Sequence, residues 1–265
     1  MKYIRRAGIV LLVCLMAMVS VGADQRVINV LNTPQKCPIL LYHHFTDDIP
    51  DNYSTMTSAE KFEDDIRRIV ENGYQVISLE EMYECMRSGI SLPPKSVVIT
   101  MDDGYESNYT IAYPVLKKYN VKASIFVNND LMGKISIHGF PHFSWEQARE
   151  MEESGLVKVY SHGYTHTDFD KMSPEELREG IKNSLREIDE NLGKRKLKVV
   201  AYVGGAYSKE AFEVVYQAGA ELQMLVGYDT NDKSISKYSF FPRFTVFYTT
   251  DVIQILDRYY LEIGR

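Results

Sequence analysis

Two short motifs carry residues that could do chemistry. Asp102-Asp103-Gly104 closes the apolar run Ser96-Val97-Val98-Ile99-Thr100-Met101, and His162-Gly163-Tyr164-Thr165-His166 closes a second run, Leu156-Val157-Lys158-Val159-Tyr160-Ser161. Carboxylates at the end of a β-forming segment are costly to bury unless they are paired or bound to a cation. Two carboxylates and two imidazoles at neighbouring strand ends can supply an Asp/His/His metal site and leave one carboxylate as a base. That is the chemistry of a metal-assisted hydrolase.

The elements that must position these residues alternate along the chain. Strands are expected at Pro38–Tyr42, Gln75–Ser78, Val97–Met101, Lys122–Val127, Leu156–Ser161, Lys198–Tyr202, Glu221–Val226 and Phe244–Phe247. Between them, helical spacing predicts a helix capped by Thr57 with Glu60 and ended by Gly73, then helices at Leu79–Arg87 and around Ile111–Tyr119. Ser144 with Gln147 caps the next helix, and Ser173-Pro174-Glu175-Glu176 starts one that runs to about Leu192 and stops at Gly193. Helices at Ser208–Ala218 and Asp251–Tyr260 complete the set. The pattern predicts an α/β fold, a distorted (β/α) barrel of seven or eight parallel strands, with a doubly wound open sheet as the alternative. His43-His44, Asp102-Asp103, His162 and Val203-Gly204-Gly205 all follow C-terminal strand ends, the barrel face where active sites are built. Strand alternation turns one of His43 and His44 toward the barrel axis and the other away.

Residues 1–23 read as an export signal or an uncleaved membrane anchor. Lys2, Arg5 and Arg6 precede an uncharged run from Ala7 to Val21, and Val21-Gly22-Ala23 offers small residues for cleavage. Residues 24–36 are a short linker and 37–265 a single domain, secreted or held outside the cytoplasm. The chain has 30 basic and 36 acidic residues, a net charge of −6. Loss of the signal takes this to about −9, which argues against a nucleic-acid or polyanion partner. Cys37 and Cys85 are either an extracytoplasmic bridge or, more in keeping with two isolated cysteines, buried thiols. His138 and His142 lie in a loop and read as surface or substrate-rim residues, and Trp145 as a packing residue.

Across roughly residues 38–250 these motifs resemble the polysaccharide deacetylases of carbohydrate esterase family 4, the NodB-like domain. Thr100-Met101-Asp102-Asp103-Gly104 is similar to the family's Thr-Phe-Asp-Asp-Gly, and His162 to His166 to its His-x3-His. Leu40-Leu41-Tyr42-His43-His44 resembles the Tyr-His segment of the poly-N-acetylglucosamine deacetylase branch. The resemblance implies a metal-dependent hydrolase that removes N-acetyl groups from an N-acetylglucosamine-containing polysaccharide of cell wall or matrix. Asp103, His162 and His166 would hold one divalent metal, zinc by default, with Asp102 as general base and protonated His43 as the acid. Arg243, in Phe241-Pro242-Arg243, would orient Asp102. The resemblance breaks in two places. Ala201-Tyr202-Val203-Gly204-Gly205 stands where relatives carry Arg-x-Pro-Tyr, which leaves Tyr202 and the Gly204 N–H as groove and oxyanion residues. No histidine follows His166, so the late Leu-x-His acid is missing and the role falls to His43. Two further readings stay open: an O-acetyl glycan esterase, which needs the acid less, and a glycan-binding relative without catalysis. In each the partner is an N- or O-acetylated glycan, met by a monomer.

Overall fold

The computed structural model describes residues 37–49, 55–227 and 240–263. The segments read as signal and linker, and most of the 228–242 loop, lie outside the described residues.

Every β-ladder pairing is parallel. The strands are β1 (Ile39–Tyr42), β2 (Gln75–Val76), β3 (Ser96–Met101), β4 (Ala123–Val127), β5 (Val157–Ser161), β6 (Val199–Ala201), β7 (Leu222–Met224), β8 (Phe240–Phe241) and β9 (Phe244–Thr245). Their order is β8-β7-β6-β5-β4-β3-β1-β9, with β2 on β3. β1, β3 and β4 are buried along their whole length, as strands covered on both faces must be, and their Val/Ile-rich runs say so in advance.

Alternation sorts the strand residues into an inside and an outside. Ile39, Val98, Phe126, Tyr160, Val199 and Leu222 share one cluster, the barrel interior, joined by Leu79 and Met82 of helix α2 (Leu79–Ser88). Leu40, Val97, Ile99, Ile125 and Val159 face outward under α1 (Ala59–Glu71), α3 (Tyr113–Tyr119), α4 (Trp145–Glu153) and α7 (Val252–Ile263). Val200 and Tyr202 face the helices α5 (Pro174–Leu192) and α6 (Lys209–Gln217).

One extended segment closes the sheet. Phe240–Phe241 pairs with β7 and Phe244–Thr245, three residues on, pairs with β1. The backbone continues the seam, with Leu225 N–H donating to the Phe241 carbonyl at 2.9 Å and Val246 N–H to that of Leu41 at 2.8 Å. The fold is therefore the distorted parallel barrel expected, with nine strands among the described residues. The extra one is β8, two residues with no periodicity to betray it, and β9 stops at Thr245 rather than Phe247.

Two helix starts differ as well. α1 is capped by Ser58, whose hydroxyl accepts from Lys61 N–H at 3.1 Å. Thr57 is committed elsewhere, its N–H on the His44 carbonyl and its carbonyl on Thr46 N–H. The helix expected near Ile111 begins as a π-helical turn, Asn108–Ala112, before α3. Cys37 and Cys85 are free thiols, the first buried. Among the described residues no helix is long and apolar enough to cross a membrane.

The capping boxes of α4 and α5 form as read. On α5 the Ser173 hydroxyl accepts from Glu176 N–H while the Glu176 carboxylate accepts from Ser173 N–H. Ser173→Ala is expected to cost about 1 kcal/mol and lower Tm by about 2–4 °C, read by thermal unfolding.

Candidate active site

Strand register sets the site. Tyr42 lies opposite Met101, and Asp102 N–H extends that ladder to the Tyr42 carbonyl at 3.0 Å, so His43 and Asp102 emerge side by side. Val127 lies opposite Ser161, and His162 N–H reaches the Val127 carbonyl at 2.8 Å. The carboxylate motif and the histidine motif thus leave the barrel at one rim.

Asp102 continues the inward face of Val98 and Thr100. The backbone then turns sharply, with φ +73° at Asp103 and +74° at Gly104. A left-handed non-glycine residue is held only where its surroundings over-determine it, and such strain clusters at functional sites. A side chain at Gly104 would put its Cβ 2.8 Å from Val127 Cγ1, so this turn also requires glycine for space. The turn aims the Asp103 carboxylate at the histidines. Asp103 Oδ1 lies 3.4 Å from His162 Nε2 and 3.1 Å from His166 Nε2.

The three residues form a donor set whose ligand atoms lie within 4.8 Å of one another. His162 Nδ1 sits 2.9 Å from the Ala201 carbonyl, an acceptor, so this nitrogen carries the proton and the Nε2 lone pair faces Asp103. Asp103 Oδ1 is buried and makes no hydrogen bond of good geometry. Burial pushes the Asp103 carboxyl up, but His162 and His166 against it outweigh burial and hold it well below the usual carboxylate range. Three converging lone pairs on two imidazoles and a carboxylate fit a divalent cation, and zinc accepts this N/N/O set.

Asp102 stands apart from that set, 3.8 Å from His162 Nε2, and is clamped by Arg243. Arg243 Nη1 and Nη2 donate to the two Asp102 oxygens at 2.6 Å each, and both side chains are buried. Burial raises the Asp102 carboxyl, and the charge and hydrogen bonds of Arg243 together with the nearby His162 and His43 more than offset it, leaving the group below its ordinary value and ionised. Arg243 Nε donates to the Leu225 carbonyl at 3.0 Å, and the guanidinium lies 5.2 Å from the Phe126 ring centroid.

His43 is the histidine turned toward these charges. Burial lowers its pKa more than nearby Asp103 and Asp102 raise it, which favours the neutral imidazole at rest. Asn108, in the π-turn, donates to the His43 carbonyl at 2.8 Å. His44 turns aside, its Nδ1 2.8 Å from Ser107 Oγ, whose oxygen also accepts from Phe45 N–H.

Gly204 is exposed at the rim, with φ +60° and room for a Cβ only 3.0 Å from Asp168 Oδ1. Tyr202 is not a groove residue. Its ring is fully buried against Phe169 and Phe212, its hydroxyl donates to Gln223 Oε1 at 2.5 Å, and its N–H is used on the Met224 carbonyl. Residue 202 keeps the outward face of Val200, which alternation predicts and the loop motif obscured.

Sequence reading placed His142 at the surface or rim, yet it is only 5% exposed and electrostatically coupled to Asp103 and His166. Its partner in space is Tyr105, through an isolated antiparallel bridge. The return of residues 141–143 onto the Asp-Asp-Gly turn, by Glu106 N–H to the Pro141 carbonyl and Phe143 N–H to that of Gly104, carries no local sequence signal.

A parallel barrel with an Asp/His/His donor set and a clamped carboxylate on its C-terminal rim defines the class, a distorted α/β barrel whose rim carries residues that could hold a metal ion. The sequence profile of the polysaccharide deacetylase family matches residues 89–222, and the chain belongs to that family. It is 32% identical over 189 residues to YxkH of Bacillus subtilis, a protein named for the polysaccharide deacetylases, covering 71% of this chain and 64% of that one. It is 26% identical over 196 residues to the poly-β-1,6-N-acetyl-D-glucosamine N-deacetylase of Staphylococcus aureus N315, covering 71% of this chain and 65% of the relative. The chain thus spans a little under two thirds of the length of these relatives. The structure of the Streptococcus pyogenes deacetylase PplD superposes with a TM-score of 0.73 at 24% identity, over 85% of this chain and 98% of that one, which establishes the fold.

Removing Arg243 leaves a buried carboxylate unpaired. Arg243→Met is expected to cost about 3–5 kcal/mol in denaturant unfolding. The gap between wild type and variant should be widest at neutral pH and shrink in acid. Protonation first relieves the unpaired Asp102 of the variant. Below the ordinary carboxyl value of 3.8 the wild type then loses its own contribution, as pH falls through the depressed folded value of Asp102. A gap that stays constant with pH would exclude Asp102 as its source.

Proposed function

We propose that this chain removes N-acetyl groups from an N-acetylglucosamine-containing polysaccharide of cell wall or matrix, using one zinc ion held by Asp103, His162 and His166. The observation that carries the reading is the convergence of that donor set beside Asp102, a carboxylate kept ionised by Arg243. The staphylococcal relative, named for this reaction on poly-β-1,6-N-acetyl-D-glucosamine, supports the substrate class. The basic residues and apolar run of 1–23 support action outside the cytoplasm, where such polymers lie.

The cation, when bound, supplies Lewis acidity that lowers the pKa of water and polarises an acyl oxygen. The protein supplies the proton traffic. Asp102 is fixed in orientation by two hydrogen bonds from one planar guanidinium and accepts the proton of the attacking water. His43 rests neutral through burial, while Asp103 and Asp102 favour its imidazolium when a proton arrives. It then gives that proton to the amide nitrogen as the C–N bond breaks, because an amide anion is too poor a leaving group to depart alone. The exposed Gly204 backbone supplies the rim where an oxyanion donor is needed.

Acetate release from N-acetylglucosamine oligomers tests this in zinc-supplemented and chelated protein. Wild type should release acetate only with metal, and Asp102→Asn should be slower by about 10²–10⁴-fold. His43→Ala should suffer more on amides than on an O-acetylated glycan, because an alkoxide leaves more readily. Undiminished release after chelation would sink the metal assignment. Ester cleavage without amide cleavage by the wild type would move the reading to an O-acetyl esterase.

A further inference from the structure

Leu177, Ile181, Ser184 and Ile188 recur at helical spacing along α5, and all four are buried. Three are aliphatic and stabilise the fold by burial alone. Ser184 is the exception, at 0% exposure. A hydroxyl in such a place costs free energy unless its hydrogen bonds are made, and an apolar side chain would serve the core better. What the serine does there is read from its partners.

The Ser184 hydroxyl is bonded twice. It donates to Asn129 Oδ1 at 2.5 Å and lies 2.7 Å from Ser161 Oγ. With the Ser184 proton committed to Asn129, Ser161 must be the donor between the two serines. Ser161 Oγ in turn accepts from Gly163 N–H at 3.1 Å. The bonds thus run one way, from the Gly163 backbone through Ser161 and Ser184 to Asn129. Asn129 Nδ2 closes the circuit by donating to the Ser184 carbonyl and to Glu187 Oε2, both at 3.2 Å. The other Glu187 oxygen accepts from the Tyr164 hydroxyl at 3.1 Å.

Gly163 and Tyr164 stand between His162 and His166. The same stretch is held from the β4 side, where Asn128 Nδ2 donates to the His162 carbonyl at 2.6 Å and Asp130 N–H to that of Tyr164 at 3.0 Å. The two histidines depend on this framework to different degrees. His162 is buried, and its ring is oriented by the Ala201 carbonyl. The His166 side chain is 51% exposed. Among the described residues its ring makes no hydrogen bond other than toward Asp103, so its place is set by the backbone that carries it. A buried polar network with its bonds made rigidifies what it joins and selects one arrangement.

We propose that Ser184 and Glu187 of α5 are positioning residues for the metal site, acting through Ser161 and Tyr164 to hold the loop so that His162 and His166 face Asp103 before a cation arrives. This rests on the zinc reading above and deepens it, because part of the donor set's affinity is assigned to two residues outside that set. Groups that fix a ligand without binding the metal are worth about 10–100-fold in metal affinity. The helix is then a strut for the site as well as a cover for the sheet.

The test is zinc affinity, measured by competition with a chromophoric chelator in metal-stripped full-length protein, beside thermal unfolding of the same samples. Ser184→Ala breaks the serine chain, and Glu187→Ala releases Tyr164 and Asn129. Ser173→Ala removes the N-terminal cap of the same helix and leaves the network alone. Ser184→Ala and Glu187→Ala should each bind zinc at least ~10-fold more weakly, whereas Ser173→Ala should lose stability and keep wild-type affinity. Thermal unfolding identifies a variant that fails to fold, and if buried Ser184 does not tolerate alanine, half-buried Glu187 decides the matter. Wild-type zinc affinity in either folded variant, or a matching loss in Ser173→Ala, would overturn the inference and leave the zinc site standing. A wild type that binds no zinc at any chelator ratio would sink the zinc reading and this inference with it.

Discussion

The Arg243–Asp102 pair is the interaction on which the rest depends. Two charges are withdrawn from water, at 0% and 1% side-chain exposure, a cost that attraction offsets only with bidentate geometry and a partner for each guanidinium nitrogen. Both conditions are met, by two 2.6 Å contacts to Asp102 and the Nε bond to Leu225. Arg243 lies between the two short strands that seal the barrel, and its own carbonyl accepts from Gly227 N–H at 3.1 Å. Two-residue strands offer few ladder hydrogen bonds of their own. The seam is pinned from inside by the same side chain that clamps Asp102, so the sealing of the sheet and the pairing of that carboxylate depend on one residue.

Much of this was legible beforehand. The helix caps at Ser144 and Ser173 are local signals and held. The fully apolar runs of β1, β3 and β4 announced a parallel sheet, and the Asp-Asp-Gly and His-x3-His motifs announced which strand ends carry charge. What stayed hidden was set by distant packing. β8 is too short for any period. Thr57 looked like a cap because its competing backbone partners, His44 and Thr46, are known only once the chain is folded. His142 reads as one loop histidine among two, and only the backfolding of residues 141–143 separates it from exposed His138. Tyr202 was misplaced because a motif position outweighed the simpler rule of strand alternation.

The Val203-Gly204-Gly205 turn, read as a departure from the family pattern, has a local physical basis. Both glycines have positive φ, at 60° and 69°. A Cβ on Gly205 would meet Val226 Cβ at 2.8 Å, and one on Gly204 would meet the Asp168 carboxylate. The backbone is threaded between Val226 and a rim carboxylate, and the narrow passage leaves no room for a side chain at Gly205 and little at Gly204. The groove on this side is therefore bounded by main chain and Asp168, while aromatic surface gathers across the rim around Tyr105.

Asp102 and Arg243 are separated by 141 positions in the chain, which has a consequence for biogenesis. A polypeptide growing from its N-terminus presents both acidic residues and both motif histidines well before the arginine emerges. Until then Asp102 lacks its clamp and the sheet lacks its seam. A nascent or truncated chain would hold the donor residues without the clamp on Asp102. The pairing of Asp102 with Arg243 is thus a gauge of completed folding.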